Sequence, residues 1–215
     1  MCWNAEVSLT TFITSSLLCA YLWYRNYTND RVIALWVFSF AIMQLLEFFM
    51  WIDLDDHSFV SKISLASLYA QPLVLATALL LFGSYHKLYN NQVTKIFIYG
   101  VIGLMIYKVI YSLYYAFIEQ KDIKWSSTIG KNCHLVWHFM NPNNKLSILP
   151  DNDYTYYISL FILSLIIKPY GFIYTLVGCI TNNISRWIYG DEEIGSMWCW
   201  IINILPLIAI GTKYI

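Results

Sequence analysis

The stretch IALWVFSFAIMQLLEFFMWI, residues 33–52, decides the class of fold. It holds a single charged side chain, Glu47, and no polar face at helical spacing. At 1.5 Å rise per residue it reaches about 30 Å, the thickness of a bilayer's hydrocarbon core. A helix apolar all round belongs in lipid or in the middle of a bundle.

Working outward, the same reading applies to Val7–Tyr24, Ile63–Gly83, Ile96–Ile118 and Ile194–Thr212. Residues 1–6 carry one acid and no base, so the first run lacks the basic lead-in of a signal peptide and reads as a retained helix. The whole composition agrees. Of 215 residues, 59% are hydrophobic and only 12% charged, against about 45–50% and about 25% in soluble domains. Mean hydropathy is +0.54. Thirteen basic and thirteen acidic residues cancel, which excludes a disordered chain and a nucleic-acid partner that needs a basic face. The principal partner is the lipid bilayer.

Tyr154–Ile188 is interrupted by Lys168-Pro169-Tyr170-Gly171. Pro removes a backbone donor and Gly permits a tight turn, so two short helices hinged there are expected. The fold class is then all-α: one membrane-embedded domain over 1–215, a polytopic transmembrane bundle of seven helices. With the N-terminus outside and the C-terminus inside, 119–153 forms a long outer loop capping the bundle between the fourth and fifth helices. The inner face then holds Arg25, Arg31, Lys87, Lys95, Lys168 and Lys213 against the acid Asp30. The outer face holds six bases as well, but four of them lie in the long loop, whereas the inner loops are short and the positive-inside bias acts on short loops. Trp23, Tyr24, Trp51, Trp187, Tyr189, Trp198 and Trp200 sit at helix ends, where an interfacial belt belongs.

Two charges remain inside spans, Glu47 and Lys108. Both lie roughly 18–21 Å above the inner surface by helical rise. Intramembrane charges are costly and usually paired, so the two are expected to meet, with Gln44 and Gln71 completing a polar core. Pro72 frees a carbonyl one turn earlier, near Leu68, that needs a partner. The competing reading is a structural clamp, with Lys108 resting on Tyr107, Tyr111 and Tyr115.

A second constellation is Cys133-His134-Leu135-Val136-Trp137-His138. If helical, His134 and His138 share a face at the spacing that can hold one metal ion, with Cys2 and Cys199 as further candidate ligands. Alternatively, Cys2 and Cys199 form a disulfide in an oxidising lumen, and the loop is an amphipathic helix lying on the membrane.

Five short pieces together resemble a family of small multi-span proteins beginning Met-Cys-Trp, from bacteria and large DNA viruses. They are Met1-Cys2-Trp3-Asn4-Ala5-Glu6-Val7-Ser8, Met43-Gln44-Leu45-Leu46-Glu47, Gln71-Pro72, His134-Leu135-Val136-Trp137 and Met197-Trp198-Cys199. Bacterial members of that family exchange Glu and Gln in the second helix and often carry Asp at the position of His138. The resemblance implies a multi-span fold and assigns no chemistry. The His134–His138 spacing also resembles membrane hydrolases of the alkaline ceramidase and adiponectin receptor type, although their Ser-x-x-x-His helix and intramembrane Asp are missing.

Three functions follow. A transporter- or channel-like protein would use Glu47, Lys108, Gln44 and Gln71. A membrane-embedded metal-dependent hydrolase would use His134 and His138 with Cys2, Cys199 or Glu47 at the outer face, and metal-bound water as nucleophile. A structural or interaction protein of a viral or host membrane would use the polar groups for helix specificity.

Overall fold

The structure, a computed structural model, describes residues 4–54, 58–83, 91–119, 125–140 and 154–212. These residues form seven α-helices: α1 (Ala5–Arg25), α2 (Asp30–Ile52), α3 (Ser58–Phe82), α4 (Gln92–Tyr114), α5 (Tyr154–Ile166), α6 (Gly171–Ile201) and α7 (Leu205–Gly211). A π-helical turn, Tyr115–Glu119, extends α4, and a small hairpin pairs β1 (Ser127–Ile129) with β2 (Leu135–Trp137).

Five segments are long and apolar enough to cross a membrane: Ala5–Arg25, Asp30–Ile52, Ser58–Phe82, Gln92–Glu119 and Glu193–Gly211. The chain is a helical, multi-pass membrane protein by that measure. Seven helices are present, but the expected last span, Ile194–Thr212, is built from the end of α6, a 3₁₀ turn (Ile202–Ile204) and α7, and neither α5 nor the first limb of α6 is among the five. Thirteen residues of α5 reach only about 20 Å. The first limb of α6 carries Asn182, Asn183 and Arg186.

Helix α2 is the axis of the bundle. Its buried side chains, Ile33, Val37, Phe40, Met43 and Met50 among them, lie all round the helix because it packs against α1, α3, α6 and α7. Helix α4 buries one stripe only, Ile98, Val101, Met105, Lys108 and Ser112, and packs mainly on α3. Its Tyr99, Ile106 and Ile110 are left exposed, the arrangement of a helix with lipid on its other side.

Local chemistry sets the ends. Asn4 Oδ1 accepts the Val7 N–H at 3.0 Å, and Asn26 closes α1 in the left-handed region at φ 49°. The expected hinge is present: α5 stops at Ile166 and α6 starts at Gly171. Ser164 and Thr175 hydroxyls bond across it at 2.6 Å. Gly171 is required by contact, since a Cβ there would lie 2.5 Å from the carbonyl oxygens of Ser164 and Leu165. A second break falls at Gly190, φ 74° and ψ 176°, which separates residues 171–189 from 191–201. The Trp198 indole N–H reaches back to the Gly178 carbonyl at 3.3 Å and folds the two limbs together.

The loop helix expected around 133–140 does not form. Residues Leu135–Trp137 are a strand in register with Ile129–Ser127, followed by a 3₁₀ turn, His138–Met140. Cys133 in the left-handed region at φ 62° turns the chain, and Leu135, Val136 and Trp137 are all buried. A bulky β-forming triplet enclosed on both sides favours extended backbone over a one-sided amphipathic helix.

Candidate functional site

The site gathers around Glu47, 2% exposed at mid-bundle. One helical turn earlier, Gln44 donates from Nε2 to Glu47 Oε2 at 2.6 Å. The Ser196 hydroxyl and the Trp137 indole flank the carboxyl, and Cys199 lies within its field and beside Gln71. Gln71, wholly buried next to the helix-interrupting Pro72, accepts a short hydrogen bond on Oε1 from the Tyr156 hydroxyl. Three polar atoms of this cluster, Glu47 Oε1, Gln71 Nε2 and Trp137 Nε1, are buried without a well-formed hydrogen bond, although the Trp137 indole stands beside the Glu47 carboxyl and Gln71 beside Cys199. One accepts and two donate.

The expected Glu47–Lys108 pair is not formed. Lys108 Nζ donates to Thr155 Oγ1 at 2.5 Å and lies 5.2 Å from the ring centre of Tyr69. The two charges stand at similar heights, but α3 lies between their helices. The alternative rest for Lys108 is not taken either, since Tyr107, Tyr111 and Tyr115 stack on one another. Thr155 and Tyr156 are adjacent on α5, so that helix links Lys108 to Gln71. Tyr156 also meets Tyr69 and Trp198 edge to face. Among the described residues the ion pair is Arg25–Asp30, with Nε–Oδ2 at 2.6 Å and Nη2–Oδ1 at 2.7 Å.

His134 and His138 do not share a helical face. They bracket the strand β2, where four residues of extended chain put about 13 Å between them. His138 Nε2 pairs with Thr128 Oγ1 at 2.9 Å. His134 is enclosed against Tyr189, ring centres 4.8 Å apart, and its burial pushes the imidazole pKa down to about 4. Cys199 faces Glu47 and Gln71 instead of the histidines. Among the described residues no three His, Cys, Asp or Glu side chains converge on a point that could hold a metal; Cys2 lies outside those residues. The expected Cys2–Cys199 disulfide is absent because Cys199 is a free, buried thiol. Among the described residues, Cys133 is disulfide-bonded.

Tyr156, Trp137 and Ser196 were not legible as site residues. Each lies in a segment whose hydropathy gave no reason to place it opposite Glu47. Four of the five short sequence pieces nevertheless converge here, through Gln44 and Glu47, Gln71, Trp137, and Cys199. No family model, curated protein or solved structure matches this chain.

Proposed function

We propose that this is a membrane transport protein whose Glu47 carboxyl takes the proton or small cation being moved, with Gln71 and Trp137 offering hydrogen bonds beside it. The single supporting observation is the Glu47 carboxyl itself, buried at mid-bundle with no cationic partner among the described residues and with an oxygen, Oε1, that lacks a well-formed hydrogen bond. Leaving a buried polar group unsatisfied costs about 1–3 kcal/mol. The carboxyl is the costliest of the cluster's groups, because a charge there has no cation beside it among the described residues. A proton on Glu47 or a cation beside it would satisfy the carboxyl oxygen, a water could also accept from a neighbouring N–H, and intramembrane ionisable groups are characteristic of such paths. The Met43–Glu47, Gln71–Pro72, His134–Trp137 and Met197–Cys199 pieces meet in this cluster, which supports reading the chain as a member of the Met-Cys-Trp family.

The N-outside, seven-span topology belongs to the same proposal. It sets the cluster, with the hairpin β1–β2 over it, toward the outer face. The test is flux into proteoliposomes of the full chain, loaded with a pH-sensitive dye and, separately, with Na⁺ or K⁺ gradients. Wild-type flux above that of empty vesicles is expected, with Glu47→Gln at least about tenfold slower while still folded. Wild-type vesicles no leakier than empty ones to all three ions would favour the structural reading and overturn this one.

A further inference from the structure

At the opposite end of the bundle, where α1 and α3 finish and α2 begins, the surface opens into a cavity of about 250 Å³. Its polar lining is Asn26, Thr28, Asn29 and Arg31, and its apolar edge is Leu81 and Phe82. That is room for roughly eight waters at their liquid volume, less than a drug-sized pocket needs. The volume suits a compact headgroup.

Arg31 carries the charge. Its guanidinium is held over Trp23 at 5.1 Å and over Phe82 at 5.9 Å. Two aromatic faces fix its plane without using its N–H donors. No carboxylate among the described residues pairs with it, and its Nε is buried with no hydrogen-bond partner. The nearby acid is already spent, because Asp30 is held bidentate by Arg25 and also accepts the Tyr27 N–H. Among the described residues, the cavity therefore holds an oriented cation with no carboxylate partner, ringed by amide and hydroxyl groups.

The setting names the ligand class. Trp23, Tyr24 and Tyr27 around this end are exposed, as side chains at a headgroup layer are. Leu81, at the rim, is also exposed, and Phe82 beside it offers an apolar track leading away from the guanidinium. A cation with fixed donors above an apolar track matches a phosphate with acyl chains attached.

We infer that this cavity is a phosphate-binding site, with Arg31 as its cation, and that its occupant is the headgroup of an anionic phospholipid. The inference is independent of any role for Glu47.

Binding is measured on the purified full chain in detergent micelles, by thermal shift and by native mass spectrometry. The probes are phosphatidylglycerol, inorganic phosphate, and diacylglycerol as the phosphate-free lipid. Phosphatidylglycerol is expected to raise the unfolding temperature and remain bound, with diacylglycerol inert. Arg31→Met should weaken that binding by about tenfold or more, the loss of one charge-assisted contact pair. Arg31→Lys keeps the charge and should retain part of it, which separates lost binding from lost folding. Stabilisation by inorganic phosphate at comparable affinity would keep the site and reassign its occupant to a soluble phosphate. Equal binding by wild type and a folded Arg31→Met, or no phosphate-specific effect on wild type, would overturn the proposal.

Discussion

Replacing Arg25 by Met is the sharpest test of how this bundle is held together. Arg25 ends α1 and makes four side-chain hydrogen bonds: two to the Asp30 carboxylate at 2.6 and 2.7 Å, and two to the carbonyls of Ala209 and Ile210 at 3.0 and 3.4 Å. One side chain thus ties the α1–α2 turn to the end of α7. The carbonyl bonds contribute little. Ile210 is at the limit of bonding distance, and the Ala209 carbonyl also accepts from Thr212 Oγ1 at 3.0 Å. The cost falls on Asp30, whose side chain is only 4% exposed and would keep just the Tyr27 N–H. Stranding one partner of a buried, bidentate pair costs about 3–5 kcal/mol. Removing both charges costs much less, because no uncompensated carboxylate remains. Equilibrium unfolding in mixed micelles should show Arg25→Met destabilised by about 3–5 kcal/mol. Arg25→Met combined with Asp30→Asn should recover about 2 kcal/mol or more of that loss. Arg25→Lys should fall between, since an ammonium cannot reproduce the fork. A single mutant within about 1 kcal/mol of wild type, or a double mutant showing no coupling, would refute the reasoning.

Three further outcomes follow from the same geometry. Gly171→Ala should lower stability by at least about 2 kcal/mol or block accumulation of folded protein, because its Cβ meets two backbone carbonyls that cannot swing aside; thermal unfolding beside a Gly103→Ala control, where a Cβ meets nothing within 4 Å, measures it. Tyr156→Phe should cost about 1–3 kcal/mol by leaving Gln71 Oε1 without its donor, read as a drop in unfolding free energy with helicity unchanged. His134 is neutral when folded, with its pKa depressed to about 4 by burial. The unfolded chain therefore binds the extra proton first, near 6.5. Its contribution is full above pH 6.5 and declines as pH falls toward 4, by about 1–2 kcal/mol between pH 7 and 5. His134→Gln should flatten that part of the stability profile.

Much of the fold was readable from residue order alone, and particular positions show why. Hydropathy is a local property of about twenty residues, so Ile33–Ile52 declared its solvent without help from the rest of the chain. Pro169 and Gly171 likewise announced the α5–α6 hinge through backbone restrictions that need no tertiary partner. Residues 133–140 failed that test. A short apolar run carries no usable periodicity, and its strand form depends on being covered from two sides.

What the sequence determined by itself was the set of polar groups stranded in the bundle, Glu47, Gln44, Gln71 and Lys108, because the cost of a charge in hydrocarbon attaches to the residue wherever it packs. What only the tertiary structure decided was who meets whom. Equal height along two helices does not bring side chains together when a third helix lies between, so α3 parts Lys108 from Glu47. Helix α5 then gives Lys108 a hydroxyl through Thr155. Partner choice depends on the rotation and neighbour order of the helices, and neither is written in a one-dimensional count of apolar residues.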